Sequence, residues 1–203
     1  MKLSHILIKV KDLDKAVKEW QDKGFIVEYG KTKNPYNALI YFPEGPFIEL
    51  FKFNGLPKFL RPILKLIGKG GLFDKMAYWG DSEEGLLSIM LENYETSLDK
   101  EIAILKEHNI EGSLSIKSRL DTKNRKLNFN VLFTDQVYFP DLMTYFSTDP
   151  KPKTNEHTNG IKGVKSITLG LTAEQTKAFK AICDDDRVKV VEGKGIKDLE
   201  WIK

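Results

Sequence analysis

The stretch KLSHILIKVKDLDKAVKEW at residues 2–20 contains a strand, a helix cap and a helix in immediate succession. Residues 3–10 are rich in β-branched and large apolar side chains, a composition typical of strands. Asp12 follows where a helix would begin, and its carboxylate can accept hydrogen bonds from the free amides of the first turn. The next apolar residues recur at the i, i+4, i+7 spacing of one helical face: Leu13, Val17 and Trp20. We therefore predict a strand leading into an amphipathic helix that ends at Gly24.

Three strand-like segments follow this helix and complete a first unit over residues 1–55. They are FIVEYG (25–30), NALIYFP (37–43) and PFIELFKF (46–53). The Pro-Glu-Gly at 43–45 is typical of a turn, so the last two segments are expected to form a hairpin. Strand, helix and three strands make a βαβββ unit.

The same order recurs over residues 85–150, so the chain carries an internal repeat. A strand leads into a helix with the same apolar spacing, and three strand-like segments follow: 114–120, 127–135 and 141–147. A loop at 151–162 then precedes one more strand–helix pair and two short strands. We predict two complete units and a partial third β-α unit over 163–203, which is an α+β architecture.

An inserted segment at residues 56–84 separates the first two units. Its first half is basic and amphipathic, with Phe59, Ile63 and Ile67 opposite Lys58, Arg61 and Lys65. Because the segment is short, we expect a helix that packs over the sheet or covers a pocket mouth. Attachment to a membrane surface is the alternative.

Charge and composition argue against several classes of protein. The chain has 32 Lys and Arg residues against 29 Asp and Glu residues, and both kinds are scattered, so no concentrated surface for nucleic acid is expected. No apolar run is long enough for a membrane span. The single cysteine, Cys183, cannot form an internal disulfide, and a cytoplasmic location is expected.

Several of these segments resemble the vicinal oxygen chelate superfamily, which includes glyoxalase I, extradiol dioxygenases and bleomycin-resistance proteins. The resemblance lies in SHILIKVKDLDKAVKEWQDKGFIVEYG and NALIYFPEGPFIELF, and it extends over about residues 3–160. The Asn-Ala-Leu at 37–39, the insertion at 56–84 and the His-Thr-Asn-Gly at 157–160 are similar to the glyoxalase-like domain group. This resemblance implies that the two units pair into a cupped, barrel-like mixed sheet with a small-molecule cleft.

The resemblance also implies a metal site. In the metal-dependent members, the first and fourth strands of each unit supply ligands, which here correspond to His5 and Glu49. An imidazole and a carboxylate suit one divalent ion such as Zn, Fe, Ni or Mn, and Glu49 is then also the catalytic candidate.

The second unit departs from this pattern. Met90 falls where a second histidine would lie, and Thr144 is expected where a second glutamate would lie. The ligand set is therefore half present, whereas catalytic zinc sites usually have three protein ligands. His157 is a candidate third ligand if its loop folds over the cleft; otherwise it orders Asn159 and its neighbours locally.

The remaining candidates would line the cleft and contact a small, apolar or aromatic ligand: Asn37, Tyr41, Phe47, His157 and Asn159. Asn37 would either bind the ligand or cap a turn. Three functions follow as hypotheses. The first is a metal-dependent lyase, isomerase or dioxygenase, and the second is a metal-free module that sequesters a ligand. The third is an assembly domain or homodimer, because the strands of a partial unit need a partner or a cover.

Overall fold

The computed structural model describes residues 1–152 and 155–203 and contains the predicted first unit. Asp12 caps the first helix, accepting a hydrogen bond from the Lys15 amide at 3.0 Å. Gly24 follows the helix with a φ of +86°, a conformation that favours glycine. The elements of this unit are β1 (Lys2–Lys9), α1 (Leu13–Asp22), β2 (Glu28–Tyr29), β3 (Asn37–Ile40) and β4 (Phe47–Phe51).

The rest of the chain contains two inserted helices, a second unit and a C-terminal set of elements. The inserted helices are α2 (Leu60–Leu66) and α3 (Gly70–Asp81). The second unit comprises β5 (Gly85–Asn93), α4 (Asp99–Glu107), β6 (Gly112–Leu120), β7 (Lys126–Thr134) and β8 (Asp141–Thr144). The C-terminal elements are β9 (Gly163–Leu171), α5 (Ala173–Ile182), β10 (Val188–Glu192) and β11 (Gly195–Ile202).

One mixed eight-stranded sheet unites the two units in the order β2-β3-β4-β1-β5-β8-β7-β6. Strands β1 and β5 pair antiparallel at its centre, and each also pairs in parallel with the last strand of its own unit. The sheet curls until its ends meet: Arg119 of β6 donates a hydrogen bond to the carbonyl of Gly30, next to β2. The prediction of an α+β fold with a cupped sheet is confirmed.

The C-terminal elements form a small sheet of their own, in the order β10-β9-β11. Their apolar side chains belong to the same buried core as those of α1 and α4: Val164, Ile167, Leu169, Leu171, Ala178, Phe179 and Ile182. The Trp201 ring of β11 lies 5.8 Å from that of Phe25 in the first unit. These strands are therefore covered within the chain, which removes the reason given above for expecting a partner.

Asp185 links this C-terminal region to the first strand. Its carboxylate accepts hydrogen bonds from the Leu3 amide at 2.8 Å and from two nitrogens of Arg187 at 2.7 and 2.8 Å. Burial acts to raise the pKa of Asp185, but these donors outweigh burial and hold the pKa below its ordinary value of 3.8.

A buried ion pair fixes the insertion against the second unit. Lys75 of α3 and Asp141 of β8 are both fully buried and in direct contact. The Lys75 ammonium also donates to the Thr134 hydroxyl at 2.7 Å and to the Phe139 carbonyl at 2.9 Å. Because every contact of this ammonium is lost if α3 moves, the pair determines where α3 lies.

The first half of the insertion packs less closely than expected. Helix α2 buries no residue. Its apolar side chains and those beside it remain exposed, including Phe59, Ile63, Leu66 and Ile67. Within the described residues, no helix is both long and apolar enough to span a membrane.

Replacing Lys75 with methionine should lower the free energy of unfolding by about 3–5 kcal/mol, because Asp141 is left buried without its partner. Denaturant unfolding followed by circular dichroism measures the change. The double variant Lys75→Met/Asp141→Leu is the control, and it should recover most of the loss. An unchanged stability in Lys75→Met would contradict the anchoring role of the pair.

The variant Asp185→Asn should be about 1–2 kcal/mol less stable than wild type at neutral pH, because Arg187 loses a charged partner. The folded pKa of Asp185 lies below its unfolded pKa, so its stabilisation is present above the unfolded value and is lost as pH falls through the folded value. Unfolding measured across this pH range should show the two proteins converging at low pH. A constant difference at every pH would count against this assignment.

Candidate functional site

The structure brings His5 and Glu49 together on the concave face of the large sheet. They lie on the neighbouring parallel strands β1 and β4, where Leu7 is the register partner of Glu49. Since His5 and Leu7 are two residues apart, both point to the same face. The Nε2 atom of His5 lies 3.2 Å from Oε2 of Glu49, and the two side chains are 4% and 14% exposed.

Neighbouring groups hold this pair in place. Asn37 of β3 donates a hydrogen bond from Nδ2 to Oε1 of Glu49 at 2.8 Å, which places Asn37 in the cleft. Gly30 leaves the room that Asn37 needs, since a Cβ at position 30 would lie 2.1 Å from Asn37 Oδ1. On the other side, the Ser4 hydroxyl lies 3.0 Å from Nδ1 of His5. The ring of Phe47 stacks on the imidazole with centroids 4.5 Å apart.

These contacts keep Glu49 ionised. Burial of the carboxyl is the largest single effect and acts to raise its pKa. The contact with His5, the hydrogen bond from Asn37 and the charge of Arg119 together outweigh it. The pKa of Glu49 therefore lies below the ordinary value for a glutamate.

Two methionines occupy the corresponding positions of the second unit. Met90 is the register partner of His5 across β1 and β5, as predicted. In the first unit His5 pairs with Phe47 and Glu49 lies two residues further; in the second, Met90 pairs with Asp141, so Met143 lies two residues further. The equivalent of Glu49 is therefore Met143, and the expectation of Thr144 was wrong by one residue.

That single-residue difference changes the face of the sheet, because side chains alternate along a strand. Met143 lines the cleft, and its sulfur lies 3.5 Å from the Ser4 hydroxyl. The Thr144 hydroxyl instead accepts a hydrogen bond from the Asn130 amide.

The cleft around this site is a cavity of about 260 Å³ with a predominantly apolar lining. Its polar lining residues are His5, Tyr36, Asn37, Glu49, Lys117 and Arg119. The apolar ones are Leu7, Leu39, Phe47, Phe51, Trp79, Met90, Phe129, Val131, Phe133, Met143 and Phe146. A concave site of this composition suits a small organic molecule.

Three of the predicted site residues lie outside this lining. Tyr41 is buried behind it, with its ring 5.1 Å from that of Phe47. His157 lies between Phe25 and Phe42, and its Nδ1 accepts a hydrogen bond from the Ile26 amide at 3.0 Å. Burial lowers the pKa of His157, in keeping with a neutral ring.

Asn159 is part of the same loop as His157 and has a local role. Its side-chain amide donates to the Lys23 carbonyl at 2.8 Å, and its oxygen accepts from the Ile161 amide at 3.0 Å. His157 and Asn159 thus attach their loop to the end of α1, and neither reaches His5 and Glu49.

Several cleft residues were not found by sequence reasoning. Lys117 and Arg119 lie on the inner face of β6, and Trp79 reaches the cleft from α3. The cations had a readable signal, because two residues separated by one position share a face of a strand. No signal in the sequence showed that β6 curls back toward Gly30.

A metal ion would have His5 and Glu49 as its protein ligands here. Atoms bound to one zinc ion at adjacent positions lie about 3 Å apart, given bond lengths of about 2.0–2.1 Å. The 3.2 Å separation is compatible with this, and Nε2 of His5 has no aligned hydrogen-bond partner among the described residues. Those residues nevertheless contain no cluster of three or more histidine, cysteine, aspartate and glutamate side chains that could hold a metal.

Two tandem βαβββ units that share one cupped sheet define the class of this protein as the vicinal oxygen chelate fold. The sequence matches the glyoxalase-like domain family over residues 3–182. The chain belongs to this family, and the resemblance noted from its motifs is confirmed.

Solved structures show the same fold at low sequence identity. A hypothetical protein from Staphylococcus aureus is 15% identical, with a TM-score of 0.62 over 97% of this chain and 88% of its own. Methylmalonyl-CoA epimerase from Streptomyces coelicolor is 15% identical, with a TM-score of 0.41 over 71% of this chain and 97% of its own. A glyoxalase I mutant from Zea mays is 15% identical, with a TM-score of 0.42 over 89% of this chain and 54% of its own. None of the curated proteins compared with the chain matches it.

Replacing Asn37 with leucine should raise the pKa of Glu49, because the carboxylate loses a hydrogen-bond donor while the side-chain volume is kept. A pH titration followed by NMR of the Glu49 carboxyl carbon measures the change. Asn130→Leu is the matched control, because Asn130 does not line the cleft. An unchanged Glu49 titration in Asn37→Leu would show that the amide does not stabilise the charge.

Proposed function

We propose that the chain binds a small apolar or aromatic molecule in the cleft between its two βαβββ units. The observation that carries this proposal is the lining, in which aromatic and aliphatic side chains surround one polar group formed by His5, Glu49 and Asn37. Such a group orients a ligand, while the apolar walls supply most of the affinity.

The polar group is built for recognition at a defined point. The carboxylate of Glu49 accepts from Asn37 and contacts His5, and the imidazole is held by Ser4 and Phe47. Side chains fixed in this way lose little conformational freedom when a ligand arrives. A ligand hydroxyl, amide or carbonyl could therefore hydrogen-bond to the pair at low entropic cost.

A metal-dependent lyase, isomerase or dioxygenase is the second candidate. Its support is the unpartnered Nε2 of His5 beside the Glu49 carboxylate. A bound divalent ion would polarise a ligand oxygen, and Glu49 would help to hold it. Against this candidate, Met90 and Met143 stand at the positions that would complete the ligand set, and thioethers are poor ligands for hard divalent ions. We therefore favour binding without a metal.

Binding should be detectable with a neutral aromatic probe, naphthalene carboxamide, because Trp79 lines the cleft. We expect saturable quenching of tryptophan fluorescence that is absent in Trp79→Phe. The variant Met90→Phe extends a ring toward the cavity and should weaken binding about tenfold or more, whereas Leu114→Phe on an exposed position of β6 should not. Absence of saturable binding in a wild-type protein shown to be folded would refute the proposal.

Metal analysis separates the two candidates. Protein dialysed against zinc, nickel, iron or manganese should retain less than one ion per chain, and His5→Ala and Glu49→Ala should give the same value. Stoichiometric metal in wild type that is lost in both variants would instead establish the metal-dependent function.

Two further expectations accompany this proposal. A cytoplasmic setting is proposed because the single cysteine is free and no internal disulfide is needed. An assembly role is the remaining alternative, and a molar mass by light scattering that rises from monomer to dimer with concentration would favour it.

A further inference from the structure

Lys117 and Arg119 place two cationic side chains at the cleft without acidic partners. Both line the cavity from β6. Among residues 1–152 and 155–203, neither forms an ion pair with a carboxylate, whereas Arg125 near the start of β7 pairs with Asp121 at 2.7 Å. Most arginines and lysines with a fixed position near an acidic residue are paired in this way, so the two cleft cations are distinctive.

Aromatic rings hold both cations at the cleft wall. The Lys117 ammonium lies 5.9 Å from the centroid of Phe133, and the Arg119 guanidinium carbon lies 5.9 Å from that of Phe146. Both rings are themselves lining residues. Attraction between a cation and an aromatic face favours these positions.

Arg119 retains unused hydrogen-bonding capacity. One nitrogen of its guanidinium donates to the Gly30 carbonyl, which fixes the group where β6 meets the end of β2. Its other nitrogens have no acceptor among the described residues. A planar guanidinium held at one corner presents its remaining donors in a geometry that matches a carboxylate or phosphate.

The charge balance of the cleft also favours an anion. Its ionisable lining groups are His5, Glu49, Tyr36, Lys117 and Arg119. Glu49 is the only carboxylate among them, and it is already in contact with His5 and Asn37. The two cations therefore leave a net positive potential at the cleft, in a setting where apolar walls reduce screening.

We propose that the ligand is an apolar or aromatic molecule with a single acidic group, which Lys117 and Arg119 bind while the rings hold its body. This inference rests on the proposed function, since it names the chemical class of ligand for the same cleft. The shared chemistry is a carboxylate or a phosphate ester on a small hydrophobic body.

The test compares naphthalene carboxylate with naphthalene carboxamide by isothermal titration calorimetry on the whole chain. The two probes have nearly the same shape and differ in charge. We expect the carboxylate to bind about tenfold tighter at low salt, with the advantage shrinking as salt rises. Naphthyl phosphate in a third arm distinguishes a phosphate site from a carboxylate site.

Variants locate the effect. The double variant Lys117→Met/Arg119→Met should remove the advantage of the anion and leave carboxamide binding within about twofold of wild type. Lys117→Arg/Arg119→Lys keeps the charge and should retain most of the advantage. Lys126→Met, on an exposed position of the same hairpin, is the matched control and should change neither affinity.

The outcomes separate this inference from the proposed function. Equal affinity for both probes would overturn the inference while binding in the cleft stands. Failure of both probes to bind would overturn the two together. An anion preference that persists in Lys117→Met/Arg119→Met would also overturn the inference, because the charge would then be recognised elsewhere.

Discussion

The antiparallel pairing of β1 with β5 is the constraint on which the rest of the structure depends. It joins the two units at the centre of the eight-stranded sheet and relates them by an approximate twofold axis. Because the same strand also pairs with β4, His5 comes beside Glu49 on one side and opposite Met90 on the other. The site and its asymmetry therefore follow from one register, and a shift of one residue would turn every cleft side chain to the opposite face.

The two halves of the cleft have diverged in chemistry while the backbone pattern is the same. The first unit supplies an imidazole and a carboxylate, and the second supplies two thioethers at equivalent positions. A methionine fills space flexibly and adds little charge, so its presence converts half of a polar site into apolar wall. The polar contributions of the second unit come from β6 instead, where Lys117 and Arg119 reach the cleft from the edge of the sheet.

Elements outside the sheet are held by polar contacts that link distant parts of the chain. The buried Lys75–Asp141 pair fixes α3, and with it the cleft residue Trp79, against the second unit. Asp185 connects the C-terminal region to the Leu3 amide near the start of β1. Ion pairs of this kind add little net stability compared with apolar packing, but breaking one leaves a buried charge. They therefore determine position more than they determine the free energy of folding.

Local patterns in the sequence were sufficient for the units and for half of the site. The capped helix after β1, the turn at 43–45 and the recurrence of strand, helix and strands depend on neighbouring residues, and they predicted the elements correctly. The resemblance carried by those motifs led to His5 and Glu49, and the structure places them 3.2 Å apart. Tertiary structure alone decided that Met143 rather than Thr144 faces the cleft, that His157 packs between Phe25 and Phe42, and that Lys117 and Arg119 enter the site. The physical reason is that strand register and sheet curvature arise from contacts between residues far apart in the chain, which local periodicity does not encode.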